Sequence, residues 1–122
     1  MEDPVILSME DPVILVVEDE AGVRDLIRSI LETAGYAVLM AADGEQALQV
    51  SRTFPTTIHL LLCDMIMPKL GGIAPILLER PAMKVLLLSD TVERPPKGVE
   101  VLRKPFEGEI LRQQVRRLLS AG

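Results

Sequence analysis

Apolar and polar positions come in blocks along this chain, and the period changes from block to block. Val13–Val17, VILVV, is a continuous β-branched run, the pattern of a strand buried on both faces. After Glu18-Asp19-Glu20 the period turns helical. Val23, Leu26, Ile27, Ile30, Leu31 and Ala34 form one apolar stripe, and Gly35 stops the helix. Ala37–Ala41 reads as a short strand. Asp43-Gly44 turns the chain, and Asp43 can cap a helix over about Glu45–Arg52. Thr57–Cys63 holds the third strand, and the loop Asp64–Gly72 follows, with Pro68 and Gly71-Gly72. Ile73–Glu79 predicts a short helix, with Pro75 tolerated in its first turn. Lys84–Leu88 is a fourth strand and Val99–Leu102 a shorter fifth. Glu107–Leu119 closes the chain as an amphipathic helix with Ile110, Leu111, Val115, Leu118 and Leu119 on one side.

The order is βαβαβαβ, an irregular link, then βα. Such alternation specifies an α/β fold, a parallel sheet with helices on both faces. At 122 residues, 48% hydrophobic and 25% charged, the chain is expected to be one soluble domain with its own core. Aromatics are only 2%, so Leu, Val, Ile, Met and Ala must fill that core. The net charge of −5 argues against nucleic-acid or anionic-membrane partners, which call for a basic surface. It leaves a divalent cation open. One cysteine, Cys63, excludes an internal disulfide and a Cys-rich zinc site and fits a reducing cytosol. No apolar run approaches a membrane span, and the acidic start is unlike a signal peptide.

Ligands of open α/β sheets bind beyond the carboxyl ends of the strands. Glu18 and Asp19 follow the first strand, Asp64 the third, Ser89 the fourth, and Lys104-Pro105 the fifth. Three carboxylates, a hydroxyl and an amine would meet there. Clustered carboxylates repel one another, and a hard cation such as Mg²⁺ relieves the repulsion. A carboxylate can also attack phosphorus to give an acyl phosphate, whose oxygens then need positive charge and donors.

These residues resemble the receiver domain of bacterial two-component response regulators. The resemblance covers Val13 to about Leu119, and its carriers are VILVVEDE (13–20), ADGEQAL (42–48), LLLCDMIMPKLGG (60–72), VLLLSD (85–90) and KPF (104–106). Each is weak alone; in this order, at strand ends, they are strong together. The resemblance implies a flavodoxin-like, five-stranded parallel sheet of order 2-1-3-4-5. It implies that Asp64 is the phospho-acceptor and Asp19 a direct Mg²⁺ ligand. Glu18 then binds the metal through water, and the backbone carbonyl of Ile66 is the third protein ligand. Ser89 takes the switch-hydroxyl position, Lys104 pairs with the phosphoryl group, and Lys104-Pro105 is cis. The implied partners are a sensor histidine kinase and an unknown downstream protein, the expected state a monomer or weak dimer, and the location cytoplasmic.

Three positions depart from the family pattern. Lys104 stands only fifteen positions after Ser89, and the link contains Pro95-Pro96 and Gly98. The helix that the family places between its fourth and fifth strands is therefore expected to be missing or reduced to a turn. Val101 occupies the place of the family's aromatic switch. Asp90 replaces a small residue after the switch hydroxyl; it either repels phosphodonors or points to solvent and caps a turn.

Other residues have plainer readings. Cys63 is expected to be a small core residue, His59 to lie at a strand edge, and Met65 and Met67 to pack. Arg112, Arg116 and Arg117 mainly complement a helix dipole. The segment Met1–Leu7, MEDPVIL, returns as Met9–Leu15. Both copies lead to Glu-Asp, but only the second is followed by a helical period. It is the working strand, which divides the chain into a duplicated segment, 1–12, and a domain, 13–122. The first copy is a start-site remnant or a frayed tail, or else it adds an edge strand or reaches a neighbour; the first two are favoured.

The leading functional expectation is a Mg²⁺-dependent phospho-acceptor switch that catalyses only its own phosphorylation and dephosphorylation, not a turnover enzyme. The alternative is a degenerate receiver that binds partners independently of phosphorylation. A phosphohydrolase ranks last, because Ile66 stands where a second acid would be needed.

Overall fold

A computed structural model describes residues 11–64, 73–89 and 99–120. The elements run β1 Val13–Val17, α1 Ala21–Thr33, β2 Ala37–Ala41, α2 Gly44–Thr53, β3 Leu60–Asp64, α3 Ala74–Glu79, β4 Lys84–Ser89, β5 Glu100–Arg103 and α4 Gly108–Ser120. The five strands form one sheet in the order β2-β1-β3-β4-β5, every pair parallel. The α/β reading and the 2-1-3-4-5 order are both present.

The two central strands explain their own composition. Ile14–Val17 of β1 and Leu60–Cys63 of β3 are wholly shielded from solvent, because helices cover both faces. Alternate residues point to opposite layers. Leu15, Val17, Leu61, Cys63 and Leu87 join Ala47 of α2 and Ile76 of α3 on one side. Ile14, Val16, Leu60, Leu62, Leu86 and Leu102 join Ile27 and Leu31 of α1 and Leu111, Val115 and Leu118 of α4 on the other. Of the doubled start, the second copy supplies β1, and the same burial suits it. In the register of the first copy Ser8 and Met9 would replace Val16 and Val17, both completely buried. An unpartnered hydroxyl there is costly. Residues 1–10 themselves lie outside the described residues.

Local signals set the element ends. Gly35, at φ +100°, reverses the chain after α1, a conformation that favours glycine. Asp43 Oδ1 accepts from Gln46 N at 2.8 Å, and Gln46 Oε1 accepts from Ala42 N at 2.8 Å, a near-reciprocal cap on α2. Three positions of the predicted apolar stripes differ, and one of them, Ala34, is the exposed C-cap of α1. Leu26 and Ile110 are 56% and 43% exposed, because each lies on the flank of its helix rather than toward the sheet. Ten positions, 90–99, separate β4 from β5; residues 90–98, with Asp90 and the helix expected to be missing or reduced, lie outside the described residues. Four helices stand among the described residues, the last of them after β5. Val101 is half-buried against the α2–α3 side.

His59 lies at the edge of a strand, immediately before central strand β3, where its Nδ1 accepts from Val13 N at 3.0 Å. Its main chain donates to Val13 O at 2.8 Å and accepts from Lys84 N at 3.0 Å. The lone histidine thus ties the starts of β1, β3 and β4.

Candidate functional site: an acidic cluster with one lysine

The carboxyl ends of four strands deliver the site. The β1 ladder ends at Val17, and Glu18 continues it by donating its N–H to Ala41 O at 3.0 Å. Asp64 is the last residue of β3, paired with Leu88, and not the first of the following loop. Ser89 is likewise the last residue of β4, opposite Arg103. Lys104 follows β5, its N–H donating to Ser89 O at 2.7 Å. The Lys104-Pro105 peptide is cis.

Side chains then converge. Lys104 Nζ donates to Asp64 Oδ2 at 2.9 Å and to Glu18 Oε1 at 3.3 Å. Glu18, Asp64 and Ser89 are buried, whereas Asp19 is exposed. Glu18, Asp19 and Asp64 each offer a carboxylate oxygen within 4.8 Å of the others. Three hard oxygen donors on one rim fit a hard divalent cation. Glu18, Asp19, Asp64 and Lys104 are therefore brought together as the sequence suggests, and Ser89 ends the strand beside Asp64. Ile66 lies outside the described residues.

The electrostatics show what bringing acids together costs. Burial, more than any other cause, pushes the Glu18 carboxyl above the usual range. The Glu20 amide and Lys104 pull it back, and the like charge of Asp64 pushes it further up. For Lys104 burial disfavours the ammonium, but the hydrogen bond and charge of Asp64, with Glu18 behind them, prevail and raise its pKa. Cys63, between the layers, is pushed up to about 12, first by burial and then by the charges of Asp64 and Glu18. It is a core residue rather than a nucleophile.

Two contacts around the site carry no sequence signal. Arg24 Nη1 donates to the main-chain oxygen of Glu18 at 2.7 Å. Glu20 N donates to Glu18 Oε2 at 3.2 Å, while the side chain of Glu20, the N-cap of α1, makes no capping bond. Glu18 thus serves the helix start that Glu18-Asp19-Glu20 could have capped directly. On α4, Arg112 pairs with Glu109 and Arg117 with Glu100, so these arginines serve ion pairs as well as the dipole.

A doubly wound parallel sheet carrying acids just after β1 and at the last residue of β3, and a lysine after β5, defines a receiver-type α/β domain. The family model of the response regulator receiver domain matches residues 14–116, and the chain belongs to that family. The probable transcriptional regulator ycf27 of Porphyridium aerugineum is 34% identical over 111 residues, covering 82% of this chain and 45% of that protein. CpxR, a transcriptional regulatory protein of Escherichia coli K12, is 46% identical over 48 residues, covering 39% of this chain and 19% of that protein. The chain spans less than half the length of these relatives. Among solved structures, the receiver domain of the hybrid histidine kinase CckA is 36% identical, with a TM-score of 0.72, covering 88% of this chain and 98% of that one. A Clostridium thermocellum receiver domain is 27% identical, with a TM-score of 0.77, covering 89% and 94%.

Proposed function

We propose that this domain is a phospho-acceptor switch that takes a phosphoryl group onto Asp64 from the phosphohistidine of a sensor histidine kinase, with Mg²⁺ present. The observation that carries the reading is Lys104 Nζ at 2.9 Å from Asp64 Oδ2, inside a cluster of three carboxylates. Family membership supports it. An oxygen of Asp64 attacks phosphorus in line. The new P–O bond forms as the P–N bond breaks, and the imidazole leaves with the bonding pair, neutral because its other nitrogen is protonated. Low exposure of Asp64 limits competing water. The Lys104 ammonium and the Ser89 hydroxyl donate to the phosphoryl oxygens. Asp19 and Asp64 would hold the metal directly, with the Ile66 carbonyl, and Glu18 through water; bound there, it supplies further positive charge. The chain turns over no substrate but its own phosphoryl group and works in the cytoplasm. The acyl phosphate changes its affinity for a downstream protein.

The test is beryllofluoride, a phosphoryl mimic, titrated with and without Mg²⁺ into wild type and Asp64→Asn and followed by amide NMR. Saturable, Mg²⁺-dependent binding that the variant lacks is expected. No binding at millimolar mimic overturns the reading and leaves a phosphorylation-independent interaction module.

A further inference from the structure

We infer that Arg24 is a positioning residue of the acidic site, setting its affinity for a divalent cation through the Glu18–Asp19 peptide. The inference rests on the phospho-acceptor reading above. Its starting point is an orphaned acceptor. The β1 ladder stops at Val17, so the Glu18 carbonyl has left the sheet. Buried backbone oxygens need a partner. The guanidinium of Arg24, from the start of α1, supplies it at 2.7 Å in a half-buried setting.

With that bond, four groups of Glu18 are held from separate directions. Its N–H bonds to Ala41 O, its C=O to Arg24, Oε2 to Glu20 N and Oε1 to Lys104. Fixing both its N–H and its carbonyl fixes the peptide that leads into Asp19. Asp19 is exposed, so its carboxylate has little packing of its own to orient it. The direction of its carboxylate therefore depends on that peptide.

Two roles for Arg24 predict opposite signs. As a mere positive charge beside the acids, Arg24 would repel a metal ion, and its removal would tighten binding. As a positioning residue, its removal loosens Asp19 and weakens binding. Arg24→Met keeps the apolar stem and removes the donor; Arg24→Lys keeps a donor and the charge. Mg²⁺ titrated into the full chain, read by amide shifts, should bind about tenfold more weakly to R24M, the scale of outer-shell effects at metal sites. R24K should recover most of the loss. In metal-free protein the Glu18 and Asp19 amide resonances should move in R24M and return toward wild type in R24K. At saturating Mg²⁺ the phosphorylation rate of R24M should match wild type. Wild-type protein that takes no Mg²⁺ overturns the reading of the site itself. Wild-type binding equalled or exceeded by a folded R24M overturns only the role of Arg24, as does a rate that stays low at saturating metal. If R24M fails to fold, R24K decides. Glu18 and Asp19 amides unmoved from wild type, with Mg²⁺ affinity within about threefold, support the role; displaced amides with unchanged affinity overturn it.

Discussion

Glu18 is the residue at which folding and function pull apart. Burial and the nearby Asp64 disfavour its charge, and its carboxyl pKa stands above the usual range in the folded state. A raised carboxyl pKa means that the unfolded chain releases the proton more readily. The contribution of Glu18 is therefore most favourable below the ordinary carboxylate pKa and is lost as pH rises through the folded value. Glu18→Gln should thus make the metal-free protein more stable at neutral pH. The gap should close as pH falls toward the ordinary carboxylate range, and saturating Mg²⁺ should reverse it. Urea melts across that pH range with and without metal check the sign. A wild type that gains on the variant as pH rises, without metal, contradicts the argument. This residue was legible as an acid at a strand end. Its strain was not, because strain depends on which charges the fold brings near it.

Elements are joined here by contacts of very different worth. Arg80, the C-cap of α3, donates to Ser51 Oγ and Ser51 O at 2.8 Å, to Thr56 O at 2.9 Å and to Phe54 O at 3.1 Å. One half-buried guanidinium satisfies carbonyls at and beyond the end of α2. Next to it, Arg52 and Glu79 form an ion pair between exposed side chains. Arg80→Ala should destabilise by about 2 kcal/mol, since it leaves several acceptors without partners, whereas Arg52→Ala should cost much less, since solvent screens its pair with Glu79. Chemical denaturation of the two variants decides the contrast. Equal losses would mean that the carbonyls around α2 are satisfied by water. Hydrophobic period located α1, β1 and β4 well, because burial on defined faces leaves a trace in composition; α2 was legible from its Asp43 cap, and β3 starts three residues later than the expected Thr57. It placed Leu26 and Ile110 inward, because period alone does not say how wide a helix's buried face is. Arg80 carries no trace at all: an arginine after a short helix looks like any surface residue until Ser51 is brought against it. The site was more legible than these clamps, since Glu18, Asp19, Asp64, Ser89 and Lys104 all fall where strands end. Arg24 escaped notice because its partner is a backbone oxygen, which any sequence would offer.

On the scale of the whole molecule, the sheet is the unit that must open for its interior to be reached. Cys63 sits in the central strand, wholly buried, with its thiol pushed up to about 12. Local motions of loops do not expose such a position. Its alkylation should therefore be slow in native protein and proceed only through opening of the sheet. The free energy of opening, from labelling rates across denaturant concentrations, should match the global unfolding free energy. Labelling much faster than that would reveal a lower-energy opening that separates β3 from its neighbours. Lys104 and Ser89 join the two strands on the far side of Cys63 from β1, so such an opening would also dismantle the site.

The cation of the site belongs to a late part of the chain, its two partners to early ones: Lys104 lies 86 residues after Glu18 and 40 after Asp64. A chain is made from its N-terminus. While a ribosome is still adding β5, the acids already exist and their counter-charge does not. Any half-built sheet that gathers them must hold repelling carboxylates at its rim. The incomplete polypeptide is thus biased against closing early, and the acidic rim gains its counter-charge only with the last strand. A truncated product ending before residue 104 would carry the three acids without Lys104 to hold Glu18 and Asp64 together.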